Sequence, residues 1–241
     1  MQCLRWQPVD KTYCRGFAMC FSAEVSFIAA SVLLPSGIAA VKRASKTDRR
    51  YVPIAALPLL FGLQQAFEGA VWMSNGNAGL VEQFSRAYMF FSWLAWPVWG
   101  PFSVYFLEPA RRQPLFIVFA IFGGILGGVQ YFPYFVHDNW LITTFLGQAI
   151  SYQSTELFDY IIGREATYMI YVAIIISPFL LSSHVNIRIF GWLVFAVLII
   201  TYMFFTYAYI SVFCFGGALM SLYLVWMIFG GRQLSTPLRS S

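Results

Sequence analysis

Charge is scarce in this sequence. Only 10% of the 241 residues are charged and 59% are hydrophobic, whereas a soluble domain carries about 25% charged residues. A water-soluble globule would have too little polar surface to cover such a composition. Lysine occurs only as Lys11, Lys42 and Lys46, none within an apolar run. That excludes a retinal Schiff base, which needs a lysine inside the bilayer. Histidine is limited to His137 and His184, and neither an HExxH motif nor a CxxC pair is present. Zinc-dependent membrane hydrolases, which need several histidines, are therefore disfavoured, and no metal is assigned. The net charge of +5 is spread over short connectors rather than gathered on one face, so topology explains it better than a nucleic-acid partner does.

What remains is a series of apolar runs of about 20 residues, the length of helix that crosses a hydrocarbon core. The spacing predicts an all-α, polytopic membrane protein of about seven transmembrane helices, at 22–41, 52–73, 87–107, 114–136, 166–182, 189–208 and 211–230. A tail at 1–18 precedes the membrane domain (19–230), and a second tail (231–241) follows it. Lys42, Arg43, Lys46, Arg49, Arg50, Arg111, Arg112, Arg188, Arg232 and Arg239 fall on one side. Arg86 and Arg164 fall in loops on the other, with Arg5, Lys11 and Arg15 in the N-terminal tail. The positive-inside rule then places the N-terminus outside and the C-terminus in the cytoplasm, in accord with an odd number of spans. Ser211 and Gly216 are the expected positions of a tight outer turn before the last helix. The connector 137–165 is acidic yet carries Trp140, Leu141, Phe145 and Phe158. It is expected to lie back on the helices and to act as a lid.

Glu68 is the first candidate for chemistry. A carboxylate within hydrocarbon costs several kcal/mol unless it is paired, protonated or facing a polar cavity. Gln64 lies one turn away and Gln65 three residues away, so the three form a polar stripe near the outer end of the second span. The alternative is a hydrogen-bonded network that only joins helices. The third span carries Trp93, Trp96, Trp99, Pro97 and Pro101, and its prolines are expected to kink it and free backbone carbonyls. Trp96, near mid-membrane, and His137 join Glu68, Gln64 and Gln65 as candidate ligand-binding residues. Cys20 and Cys214 map to the same outer side and could form a disulfide, with independent buried packing as the alternative. Glu24, Glu68, His137, Asp138, Cys20 and Cys214 all fall in the outer third, at distances the sequence does not fix. His184 is expected to cap the fifth helix. Gly123, Gly124, Gly127 and Gly128 form overlapping GxxxG patterns, a packing face toward another helix, a second copy or a membrane partner.

From Met19 the chain reads MCFSAEVSFIAASVLLPSG, followed by PLLFGLQQAFEGAVW, WPVWGP, LEPARR, LSSHVNIRIFG and SVFCFGGALMS. In this order the segments resemble a family of uncharacterised bacterial multi-pass membrane proteins that open with Met-Cys-Phe-Ser-Ala. The resemblance implies a helical protein of the bacterial inner membrane whose first residue corresponds to Met19, and it transfers no activity. The residues favour a small-molecule or ion transporter, or a ligand-binding membrane protein, with a polar cavity near the outer face. A membrane-embedded enzyme acting on a lipid-like substrate, with Glu68 as acid or base and Cys20 as nucleophile, is the second reading. A non-catalytic assembly subunit is the third. Catalytic residues and cofactors are left unassigned, and membrane lipid is the expected surrounding.

Overall fold

The computed structural model describes residues 22–137, 140–146, 149–155, 157–204 and 208–230, the Asp159 side chain excepted. The fold is all-α apart from one hairpin. Helix α1 (Ala23–Thr47) is followed by a 3-10 turn (Arg49–Tyr51), α2 (Val52–Ala55) and α3 (Leu57–Met73). Next come α4 (Ala78–Phe90), a π-helical turn (Phe91–Ala95) and α5 (Trp96–Tyr105). The chain continues through α6 (Gln113–Tyr131), strands β1 (Leu141–Leu146) and β2 (Ala149–Ser154), and helices α7 (Arg164–Leu180), α8 (Val185–Phe204) and α9 (Tyr209–Gly230).

Five helical stretches among the described residues are long and apolar enough to cross a membrane: Ala23–Thr47, Arg49–Met73, Gln113–Phe135, Val185–Phe204 and Tyr209–Gly230. Their outward faces agree with that environment. On α6, Ile121, Phe122 and Ile125 are each more than half exposed, as are Trp192 on α8 and Trp226 on α9. Apolar side chains presented in such number suit lipid, not water. Two further long stretches lie beside these five. One is α4 through α5, interrupted by its π-helical turn, and the other is α7, of 17 residues.

Small residues set the closest contacts. On α1 the buried residues Ser26, Ala29, Ala30, Leu33, Gly37, Ala40 and Ala44 recur every three or four positions, a stripe one face of a helix presents to a neighbour. That neighbour is α3: a Cβ on Gly37 would lie 2.5 Å from the Leu59 backbone nitrogen, and one on Gly62 would lie 3.0 Å from that of Leu34.

A similar device joins α5 to α6. Pro97 and Pro101 have no N–H, so the carbonyls four residues earlier, on Trp93 and Pro97, lose their ordinary helical donor. Those two carbonyls face glycines on α6. A Cβ on Gly127 would sit 2.0 Å from the Trp93 oxygen and one on Gly123 would sit 2.2 Å from the Pro97 oxygen. Gly α-carbons can approach a carbonyl this way, with weak C–H···O attraction. The GxxxG pattern is thus half consumed within the chain. Gly124 and Gly128 instead line an open surface groove with Ile125, Val129, Phe132 and Pro133. The π-helical turn just before Pro97 is where the prolines' disruption of α-helical bonding is absorbed.

Several boundaries differ from the sequence expectation. The third stretch begins at Ala78, not 87, because Asn77 caps it by accepting the Leu80 N–H at 3.2 Å. Arg86, counted above as a loop residue, therefore lies on α4, where it pairs with Glu82 one turn earlier. No turn forms at Ser211 and Gly216; both are inside α9, where a Cβ on Gly216 would press on Val197 of α8 at 2.3 Å. The 137–165 connector contains an antiparallel hairpin, registered from Leu141↔Ser154 to Leu146↔Ala149. It packs on α4 and α9.

Candidate functional site

The polar stripe on α3 faces inward. Gln64 and Gln65 are fully buried and Glu68 is 2% exposed, so the carboxyl is turned away from lipid. It meets α9: the Ser211 hydroxyl donates to Glu68 Oε1, and Gln65 Nε2 donates to Oε2 at 3.2 Å. No ion pair involves Glu68 among the described residues. The two donors that hold it, Gln65 and Ser211, are both neutral.

Gln64 makes a second set of buried bonds, toward the π-helical turn and α5. Its Nε2 donates to Ser92 Oγ at 3.2 Å, and its Oε1 accepts from Trp96 Nε1 at 3.0 Å. Ser92 Oγ in turn lies 3.7 Å from the Cys214 sulfur, and its carbonyl accepts from the Tyr171 hydroxyl. Trp96 stacks on Phe61 with ring centroids 4.0 Å apart. α3, the π-helical turn, α5, α7 and α9 thus share one chain of buried hydrogen bonds. The deeper side of this network borders an apolar cavity of ≈ 30 Å³, lined by Phe61, Trp96, Cys214 and Gly217 among others.

The hairpin closes the other side. Tyr152 is buried and stacks on Tyr88 at 4.7 Å, and both tyrosines lie within electrostatic range of Glu68 and Cys214. Phe145 packs on Trp72 at 5.5 Å, and Thr143 Oγ1 donates to Ser85 Oγ at 2.7 Å. Glu68 consequently sits in a packed, covered pocket of polar groups, not in an open vestibule.

The structure brings Glu68, Gln64, Gln65, Trp96 and Cys214 together. It does not bring His137 to them: that ring is exposed, stacks on Trp140 at 4.3 Å and borders the groove beside Gly124 and Gly128. Glu24 is exposed at the start of α1, where Ser22 Oγ donates to it at 2.5 Å. Cys20 and Asp138 lie outside the described residues, so the disulfide expected from Cys20 to Cys214 falls there too; Cys214 itself is buried. Among the described residues no three His, Cys, Asp or Glu side chains converge as a metal site would require.

A second buried carboxyl escaped the sequence reading. Glu108, 4% exposed, follows α5 at the opposite end of α3 from the hairpin side. It accepts from Ser182 Oγ at 2.7 Å, Ser183 N at 2.6 Å and Ser183 Oγ at 2.7 Å, and Arg112 Nη1 lies 3.5 Å away. Arg112 also donates to the Leu181 carbonyl at 2.8 Å. His184, expected only to cap its helix, reaches the Leu107 carbonyl at 2.9 Å and meets Tyr51 edge to face at 6.3 Å. The signal was available, since LEPARR and LSSH pair a carboxylate and arginines with hydroxyls next to helix ends. Their partnership across 74 residues was not readable from spacing.

Fold and site together define an α-helical membrane protein whose interior holds a carboxyl under a β-hairpin cap. The chain belongs to DUF6629, a family of unknown function, matched over residues 19–239. No curated protein and no solved structure matches it.

Proposed function

We propose that the chain crosses the bacterial inner membrane seven times, with its N-terminus outside and C-terminus in the cytoplasm, and works as a small-molecule or ion transporter or ligand-binding membrane protein. The five apolar helices, the composite α4–α5 stretch and α7 supply the spans, and the basic connectors set the orientation. Glu68 is the working group, with Gln64, Gln65 and Trp96 positioned around it. The observation that carries this reading is a carboxyl, 2% exposed, on a helical stretch long and apolar enough to cross a membrane, held by neutral donors with no cation paired to it among the described residues. Such a group is costly to keep, and in membrane proteins it marks pathways and binding sites. The hairpin then serves as the lid on the outer side.

Glu68→Gln keeps the shape and removes the charge. In reconstituted vesicles, uptake or binding of candidate solutes is expected to fall sharply in this variant while the protein still assembles. Wild-type activity retained by Glu68→Gln on a confirmed solute would remove Glu68 from the mechanism. Gly124 and Gly128, facing an open groove, favour lateral association with a second copy or a membrane partner in the same assembly. Native mass spectrometry from mild detergent checks this, and a purely monomeric particle would count against it.

A further inference from the structure

The cluster around Glu68 has unused hydrogen-bonding capacity. Gln65 gives its Nε2 to Glu68 but leaves Oε1 buried with no hydrogen-bond partner among the described residues. The Tyr152 hydroxyl, on the hairpin above the same cluster, is buried and unpartnered in the same sense. A buried acceptor without a donor forfeits its hydration for nothing in return. The Gln65 oxygen, beside a carboxyl with no cation paired to it among the described residues and under a second unpartnered oxygen on Tyr152, points to a missing positive species.

We propose that Glu68, Gln65 and Ser211, beneath Tyr152, hold one small monovalent cation, either a proton or an alkali ion. This rests on the reading of Glu68 as the working carboxyl. Charge sets the valence, because one carboxylate among neutral groups is balanced by a single positive charge, whereas divalent ions take several charged oxygens. Donor type sets the class: carboxylate, amide and hydroxyl oxygens suit hard ions rather than soft transition metals.

The side chains can make either arrangement. A half-turn of the Gln65 amide exchanges its nitrogen and oxygen and points Oε1 at Glu68. A protonated Glu68 then donates its O–H to that oxygen. Alternatively, an alkali ion takes Gln65 Oε1, a Glu68 oxygen and the Ser211 hydroxyl oxygen as ligands. The titratable groups facing Glu68 are Tyr88 from α4, Cys214 from α9 and Tyr152 from β2. Glu24 on α1 is exposed and bonded to Ser22.

The test follows the unfolding midpoint of the purified full-length protein in detergent. LiCl, NaCl or KCl is varied against N-methylglucamine chloride at constant ionic strength, at acid and alkaline pH. An alkali ion gives a saturable rise in midpoint that is absent in Glu68→Gln and needs about tenfold more salt in Ser211→Ala. A proton gives no dependence on the alkali ion but a midpoint that falls as pH rises in the wild type and not in Glu68→Gln. Either result supports the site and identifies its occupant. Should Glu68→Gln fail to fold, Gln65→Leu and Ser211→Ala carry the same comparison. Identical responses of the wild type and the variants to every ion and to pH would overturn the proposal. A bound ion without solute movement in vesicles would retain the site and discard the transport reading.

Discussion

Adding one methyl group at Gly127 should separate two helices. A Cβ there would lie 2.0 Å from the Trp93 carbonyl oxygen and 2.9 Å from its carbon, where C–H···O contacts settle at about 3.3 Å. The helices must therefore part by about 1.3 Å at this point, and the obstacle is backbone, which cannot swing aside like a side chain. The same gap would loosen the contact at Gly123, where an added Cβ would lie 2.2 Å from the Pro97 oxygen. Overpacking of this kind costs about 1–3 kcal/mol, and loosening the adjoining contacts places Gly127→Ala at the upper end, about 3 kcal/mol. Gly124→Ala and Gly128→Ala are internal controls. Their nearest neighbours are the Val98 and Phe132 side chains, each at 3.4 Å. Alanine's better helix propensity, about 1 kcal/mol, should leave them neutral or stabilised. Unfolding by SDS titration in mixed micelles, followed by far-UV circular dichroism, compares the three variants with the wild type. Gly127→Ala within about 0.5 kcal/mol of wild type, or Gly124→Ala as damaging as Gly127→Ala, would refute the proline-to-glycine docking.

Glu108→Ala should destabilise the protein by about 3–5 kcal/mol, because it strips the acceptor from Ser182, Ser183 and Arg112 in a buried setting. Arg112→Ala should cost less in the same assay, since its side chain is 40% exposed. Trp96→Phe keeps an aromatic ring but leaves Gln64 Oε1 without its donor, and about 1–3 kcal/mol should be lost. Tyr152→Phe removes a hydroxyl that has no hydrogen-bond partner among the described residues and should change stability by less than about 0.5 kcal/mol. Tyr152→Ala, which deletes the stacked ring, should cost about 3–5 kcal/mol and raise amide exchange across β1 and β2, as read by hydrogen–deuterium mass spectrometry.

The sequence was informative wherever a regular period or a solvation cost carried the signal. Apolar length located the five helical stretches long enough to cross a membrane, and the cost of a carboxylate in hydrocarbon singled out Glu68, which lies buried with Gln64 and Gln65. Boundaries failed where local chemistry competed. Asn77 and the Glu82–Arg86 pair extend a helix into what composition reads as a loop, and Ser211, whose residue type suits a turn, is a buried donor to Glu68. The hairpin was legible but missed. LITTFL and AISYQS are rich in β-branched and aromatic residues and stand two residues apart in the sequence, a composition and spacing that fit hairpin strands. Tertiary pairings were beyond reach: nothing in spacing assigns Glu108 to Ser182, or a proline-freed carbonyl to a particular glycine. His137 was placed at the right end of the molecule and on the wrong surface, since a position along a helical axis says nothing about rotation around the bundle.

The bond between Ser211 and Glu68 spans 143 residues, and that separation matters while the chain is being made. At about 5–20 residues per second, α3 waits on the order of ten seconds before α9 leaves the ribosome. Throughout that interval the nascent helix presents an acid whose eventual hydroxyl partner does not yet exist. Gln65 on its own helix, then Tyr88 of α4 and Tyr152 of β2, emerge around it during that interval, and the Ser211 hydroxyl arrives after all of them. Biogenesis therefore has a vulnerable window that the finished protein does not reveal, and a membrane insertase or chaperone that shelters polar helices is where its effect would first be felt.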